Sequence, residues 1–518
     1  MPNNQALKVV LVLVAALSGC VGSGGSWPSP PTPGPGDLAN PPEVESSNGA
    51  LNVTLTAAMN PQTGGPGIEY NGAFVPPTLR VNPGDTINIT YIDNLPAANA
   101  APYNDASLHF HGFSTSPNPP ADDSIGMLAM PGQTLHYVVP VPSTQPPGLY
   151  WYHSHSMGES NWQLYNGMSG AIVVNGIASF APETAGLPER IIVLRNLIAN
   201  PQYADTTSSV HRTASRTIES AADSSSPSPS PVDNTCSQPF DITGEYTTIN
   251  GQTVGTQRIV VPAGQKQLWR VVNASADGFY DVSLNGESLQ LVAVDGVPMK
   301  NTYPGAVEQT VSNIVIPPSS RAEFIVTGTG SAVSFRTTCT DTGPVGDPNP
   351  PQTLAMVYAT GATANLPLVA TPGPTPPASG TYEETMGAPA QRRSVVFSEN
   401  ADSTAFYLNG QTYNQNAGPM FTVASGTVEQ WTLYNDSQEV HVFHTHQVHF
   451  VVQDINGVAQ PAYWRDTVTL PYESSSGTPS VTHVLIDFRD PEVRGTFLFH
   501  CHLQQHADLG MMASVTVQ

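Results

Sequence analysis

Eight of the fourteen histidines in this 518-residue chain stand in four His-x-His pairs, and that spacing constrains its fold more than any other feature. The pairs are His109/His111, His153/His155, His444/His446 and His500/His502. Side chains alternate along a strand, so residues two apart project to one face with their rings about 7 Å apart. Two pairs lie early in the chain and two late, separated by about 290 residues. One such pair is unremarkable. Four of them predict a compact metal cluster held by eight imidazoles. A shared cluster requires the leading and terminal parts of the chain to meet, with the segment between them acting as a spacer.

The last pair brackets a thiol. Cys501 sits between His500 and His502, at the end of a strand-like run beginning at Gly495. On a strand it faces away from both neighbours, so one short segment serves two sites back to back. Cys501, His506 and Met511 need one more imidazole to form a His2Cys centre with a weak axial thioether. That ligand set belongs to electron-transfer copper. His441, three residues before His444, is the natural fourth member. His136, His211, His449 and His483 stay outside this scheme, with His449 a candidate hydrogen-bond partner behind a ligand.

Composition agrees with a strand-rich fold. Charged residues make up only 11%, while there are 44 Gly and 50 Pro, which favours short strands joined by turns. The expected class is all-β. The net charge of −23 and the lack of any basic block exclude a nucleic-acid partner. Strand-like alternation at 81–90, 135–141 and 170–174 places a first unit at 48–178. Runs at 190–194, 267–272, 292–294 and 323–326 place a second at 179–370, interrupted by a Ser/Thr/Pro-rich insertion at about 204–235. A linker at 371–380 precedes a third unit at 381–518. Ile249-Asn250-Gly251-Gln252 leads through a strand to Trp269, and Leu408-Asn409-Gly410-Gln411 leads likewise to Trp431, which suggests duplicated β units. Helical turns are expected only at 161–165 and after Cys501.

The N-terminus reads as an export leader, residues 1–20. Lys8 precedes an apolar run at 9–17 that is too short to span a bilayer stably. The ending Leu17-Ser18-Gly19-Cys20 resembles the bacterial lipoprotein signal, which implies cleavage before Cys20, a lipid anchor on it, and an extracytoplasmic protein. A Pro/Gly/Ser-rich tether follows at 21–47. In that compartment the remaining pair, Cys236 and Cys339, is expected to form a disulfide.

His109-Phe110-His111-Gly112, His153-Ser154-His155, the run His441 to His446, and the run His500 to Met511 together resemble the four copper motifs of the multicopper oxidases, in their three-domain, laccase-like branch. Trp151-Tyr152 and Arg465-Asp466-Thr467-Val468 extend the likeness, which covers roughly residues 50–518. The resemblance implies three cupredoxin-like Greek-key barrels and four copper ions. It implies that His441, Cys501 and His506 bind the type 1 copper with Met511 axial. His109 and His444 would bind the type 2 copper. His111, His153 and His502 would bind one type 3 copper, and His155, His446 and His500 the other. The implied activity is one-electron oxidation of a small-molecule or metal-ion reductant, coupled to reduction of dioxygen to water.

Three departures stand out. Val442 and Gln447 occupy positions where the family often has Pro and Gly; neither is a ligand, and little effect is expected. Ala507 replaces a Glu that many bacterial laccase-like enzymes use to deliver protons, so another acid must serve. Asp122 or Asp123 resembles the family's other proton-relay acid. Phenols or aromatic amines are the expected reductants. Alternatives are a metallo-oxidase of Cu(I), Fe(II) or Mn(II), against which the lack of a Met-rich segment argues for Cu(I), a nitrite reductase, and a non-catalytic copper-binding cupredoxin.

Overall fold

The computed structural model describes residues 36–60, 67–73, 75–98, 103–198, 245–299, 309–371, 386–473 and 477–518. The leader with Cys20, the Ser/Thr/Pro-rich insertion with His211, Cys236, and nearly all of the linker lie outside the described residues. Cys339 is disulfide-bonded.

The described chain is mostly strand, and its six sheets pack in pairs around three cores. In the first pair, a five-stranded sheet containing Gly148–His153 and His109–His111 faces a four-stranded sheet containing Ala50–Met59 and Thr86–Asp93. Alternation explains the packing. Ile87, Ile89 and Tyr91 point into the core with Leu51, Val53 and Leu55, while Thr86, Asn88 and Thr90 are only partly buried. Each aliphatic side chain buried this way contributes roughly 1.5–3 kcal/mol.

The strand Glu189–Ile198 lacks that alternation and is buried along its whole length. Both of its faces are covered. Ile192 and Leu194 enter the second core, whereas Ile191 and Val193 pack on Leu149, Trp151, Ala171 and Val173 of the first unit. The third unit meets the second through Val297 against Val428, Val451 and Trp464. It meets the first through Leu498, Ala507 and Met512 against Ile125 and Met157.

Each unit contains the same corner. Asn250-Gly251 and Asn409-Gly410 have positive φ (49° and 75°; 51° and 72°), as a tight two-residue turn requires. Asn250 Oδ1 accepts from Val193 N at 2.7 Å, and Asn409 Oδ1 accepts from Val396 N at 2.8 Å. A third copy, which the sequence reading missed, is Asn71-Gly72, with Asn71 Oδ1 accepting from Thr56 N at 2.8 Å. Beside each corner runs a parallel strand pair: Ala50–Met59 with Thr86–Asp93, Glu189–Ile198 with Lys266–Asn273, and Gln391–Glu399 with Thr427–Asp436.

Two expectations need correction. The end of the expected tether is folded: Glu43–Glu45 pairs in parallel with Thr78–Val81, Leu38 is buried in the second core, and Asp37 bonds Arg190 at 2.9 Å. Specific side-chain partners override the composition there. The His-x-His pairs are also not all on strands. Only His109–His111 is a strand throughout, while His155, His446 and His502 lie just past strand ends. Paired rings sit 5.2–5.7 Å apart, closer than the strand repeat of about 7 Å, both in the pair that lies wholly on a strand (His109/His111, 5.4 Å) and in those that run past a strand end.

Candidate metal centres

Strand register builds both centres. His109 pairs with His153 across the first unit's sheet, and His444 pairs with His500 across the third's. The same register puts Phe443 opposite Cys501. The two sheet ends abut, so that His109 stacks on His446 (3.6 Å between ring centroids, 12°) and His111 stacks on His444 (3.7 Å, 22°). All eight paired imidazoles are fully buried.

Hydrogen bonding fixes where the protons of four of them are. His153, His444 and His500 each place Nδ1 at 2.8 Å from a backbone carbonyl, of Ser154, Asp466 and Cys501 respectively. His109 places Nδ1 at 3.0 Å from Asp122 Oδ2, and His111 places Nδ1 at 3.2 Å from Asp466 Oδ2. The nitrogens of His109, His153, His444 and His500 must carry a proton to meet their acceptors, whereas His111 Nδ1 also faces a donor, Arg321 Nη1, at 3.1 Å. Burial, with repulsion from neighbouring imidazoles, holds the rings below the usual histidine range, His153 at about 3 and His500 at about 4. They are therefore neutral, and the Nε2 atoms of His109, His153, His444 and His500 are bare lone pairs. The Nε2 atoms of His109, His111, His153 and His444 are buried without a partner among the described residues. His500 Nε2 lies 3.2 Å from His446 Nε2 and 3.4 Å from His155 Nε2. Inward-pointing lone pairs in a dry site are costly unless cations sit among them. The donor set fits metal ions.

The second centre obeys the same accounting. His441, Cys501 and His506 hold their ligand atoms within 4.8 Å of one another. His441 Nε2 lies 2.9 Å from Ser437 Oγ, whose own proton goes to Asn435 Oδ1 at 2.7 Å. His506 Nε2 lies 3.3 Å from Glu439 Oε1. Both outer nitrogens are thus donors, and the two Nδ1 lone pairs face each other at 3.1 Å, each 3.8 Å from Cys501 Sγ. Burial pushes the Cys501 thiol up to about 12, so a soft cation is what would draw off its proton. Met511 is buried in the same core, and its backbone carbonyl accepts from Cys501 N at 3.0 Å. Phe406 stacks on His506 at 4.0 Å and shields it.

Sequence profiles described as multicopper oxidase match residues 53–179, 202–361 and 383–518. The chain belongs to the multicopper oxidase family. A laccase of Bacillus subtilis (strain 168) is 24% identical over 505 residues, covering 86% of this chain and 89% of that protein. The cell division protein FtsP of Escherichia coli (strain K12) is 23% identical, over 93% of this chain and 92% of its own. Among solved structures, a multicopper oxidase of Campylobacter jejuni titled a metallo-oxidase superposes with a TM-score of 0.68 at 20% identity, covering 93% of this chain and 95% of its own. This multicopper oxidase is accordingly an oxidoreductase that uses copper, a reductant and oxygen, and its cupredoxin-like fold is all-β.

The site has supporting residues that sequence spacing did not reveal. The middle unit is more than a spacer, because its fully buried Arg321 reaches into the cluster. Arg321 grips Asp466 with both arms (Nη1 to Oδ1 2.9 Å, Nη2 to Oδ2 2.8 Å) and donates to Leu149 O at 3.2 Å, joining all three units. Asp466 in turn holds His111 through its side chain and His444 through its carbonyl. Gly112, at φ +87°, leaves room for this clamp: a Cβ there would sit 2.5 Å from Arg321 Nη2 and 2.8 Å from Asp466 Oδ2. Ser124 of the first unit lies 3.1 Å from His446 Nδ1 in the third.

The two candidate proton-relay acids part ways. Asp122 is buried against His109, whereas Asp123 is half-buried and accepts from Ile125 N and Gly126 N (3.1 and 2.8 Å), closing a turn. Gln447 was expected to matter little, yet it donates to Asp122 Oδ2 at 2.6 Å. The motif gave no signal of this bond, because it crosses from the third unit to the first. Of the remaining histidines, His136 is exposed, His483 pairs with Asp454 at 3.1 Å, and His449 is buried.

Proposed function

We propose that this multicopper oxidase takes single electrons from phenols or aromatic amines at a type 1 copper and uses four of them to reduce one dioxygen to two waters at a three-copper cluster. In this reading His441, Cys501 and His506 would hold the type 1 ion, with Met511, buried in the same core, as a further weak ligand. His109 and His444 hold the type 2 ion. His111, His153 and His502 hold one type 3 ion, and His155, His446 and His500 the other. Copper supplies the one-electron chemistry and the affinity for oxygen. The chain does the rest. Cys501 lies in one centre while His500 and His502, its covalent neighbours, lie in the other, giving electrons a short bonded route. Asp122 and Asp466 fix ring tautomers so that lone pairs face inward. Asp122, buried beside His109, is the acid best placed to pass a proton at the cluster.

The observation that carries this reading is the proton accounting: inward lone pairs at two adjacent buried centres. The curated relative named a laccase supports the organic reductants. A second reading, oxidation of Cu(I), Fe(II) or Mn(II), draws on the solved metallo-oxidase and on an acidic cleft lined by Glu245, Asp277 and Asp347 with Gln505, the residue before His506. Oxygen-uptake kinetics on copper-loaded protein, across phenols, aromatic amines and the three metal ions, test both. The expected result is four coppers per chain and a higher kcat/KM for the organic reductants. A preference for a metal ion would favour the second reading, and copper binding without oxygen uptake would mean a non-catalytic protein.

We further infer attachment outside the cytoplasm through lipid on Cys20. The leader's sequence and the disulfide at Cys339 support it, since disulfides persist in oxidising compartments. Cys20→Ala should release the protein from the membrane fraction; unchanged partition would refute the anchor.

A further inference from the structure

Gln447 sits in an uncommon backbone conformation for a non-glycine residue. Its φ is +56°, and Val448 N donates to His446 O at 2.6 Å, closing a three-residue turn centred on it. L-residues other than Asn and Asp seldom adopt positive φ, and such outliers persist where the surroundings hold them. Gln447 is almost fully buried (2% exposed).

The turn has a geometric consequence. Consecutive side chains on a strand point to opposite faces, but here both His446 and Gln447 reach the first unit. The His446 ring stacks on His109 at 3.6 Å. The Gln447 amide donates to Asp122 Oδ2 at 2.6 Å, and the same carboxylate receives His109 Nδ1 at 3.0 Å. Two adjacent residues of the third unit therefore grip one imidazole of the first, by its face and through its carboxylate. Phe110 N, at 3.2 Å from Asp122 Oδ1, is the remaining donor to that carboxylate. Gln447 Oε1 has no partner among the described residues, and the side chain is held by its bond to Asp122.

We propose that Gln447 is a positioning residue for the type 2 copper: its turn exists to carry an amide across the unit boundary, where it locks Asp122 and, through it, His109. This rests on the copper reading given above. The shared amide bond also makes assembly of the first and third units a condition for a complete type 2 site. The residue is a feature of this chain rather than of the motif, since the family often has Gly at this position.

Gln447→Gly and Gln447→Asn test the idea cleanly. Both residues accept φ +56° more readily than Gln, so both variants should fold. Gly has no amide, and the Asn amide is one methylene too short. The measurement is copper retention during chelator titration of the holoprotein, with the type 2 signal followed by electron paramagnetic resonance and the type 1 ion by its visible absorption. Expected is type 2 affinity weakened about 10–100-fold in both variants, with type 1 absorption and thermal midpoint unchanged. Type 2 retention equal to wild type overturns the inference. So does parallel loss of type 1 and type 2 copper, which would make Gln447 a residue of the fold. Wild-type protein that takes no copper at the eight-histidine site would instead overturn the copper reading, and this inference with it.

Discussion

Replacing Arg321 with Met removes a cation that three units share. In the folded protein Arg321 is fully buried, bonded twice to Asp466, and 3.8 Å from Asp295 Oδ1. Met keeps much of the volume and removes the charge. Breaking a buried pair by deleting one partner costs about 3–5 kcal/mol, because the other charge is left uncompensated. The carbonyls of Leu149, Ser319 and Asp295 also lose donors. The pH dependence separates charge from packing. Burial and the nearby Asp466 push Asp295 up to about 6, while Arg321 holds it down. Without Arg321 it rises further. An acid with a raised folded pKa contributes stability that is intact below its unfolded pKa and is lost as pH rises through the folded one. Wild type has completed that loss by about pH 6, whereas the variant continues to lose stability above it. The gap should widen above pH 6 by up to about 1.4 kcal/mol per pH unit. Urea unfolding of copper-free protein at pH 5.5 and 8, followed by fluorescence of the buried tryptophans, measures it. A cost below about 1 kcal/mol, or a gap that does not change with pH, would refute the clamp.

Three further outcomes are expected. Cys501→Ser should abolish the blue type 1 absorption and turnover while the eight-histidine site keeps its copper; colour or turnover surviving would contradict the assignment. Asp122→Asn should lower oxygen turnover about 10–100-fold and alter its pH profile, whereas Asp123→Asn, whose shorter-range role is to close a turn, should shift stability by no more than about 0.5 kcal/mol and leave turnover intact. Steady-state oxygen consumption of the pair decides, and equal effects would refute the distinction. Finally, copper-free protein should be acid-labile. Burial depresses the folded pKa of the cluster histidines, so their stability is present above the ordinary value of about 6.5 and is lost as pH falls through the folded values, about 4 for His500 and 3 for His153. His500 alone accounts for about 3 kcal/mol, and a stability that stays flat from pH 7 to 4 would show that the rings are not buried neutral.

The ligand residues were legible because their chemistry is rare and their spacing is local. Cys501 flanked by His500 and His502 announces two centres before any fold is known, and the Asn250 and Asn409 corners announce a repeat through two side chains each. The Asn71 corner was missed because the residues around it share little else with those copies. Strands such as Thr86–Asp93 could be read from alternation, since one face is wet. Glu189–Ile198 could be placed as a strand, but its buried second face depends on the first unit lying against it.

The sequence by itself determined the donor atoms, the strand-rich class and the need for two distant regions to converge, because each follows from residue type and short-range periodicity. Only the tertiary structure decided which groups orient those donors. Arg321, Asp466 and Gln447 act through hydrogen bonds between units, joining residues up to a few hundred positions apart, and Asp122 passes the last of these on to His109 within its own unit. Sequence separation carries no trace of such contacts, and a hydrogen bond's energy depends on ångström geometry that exists only after the sheets have packed.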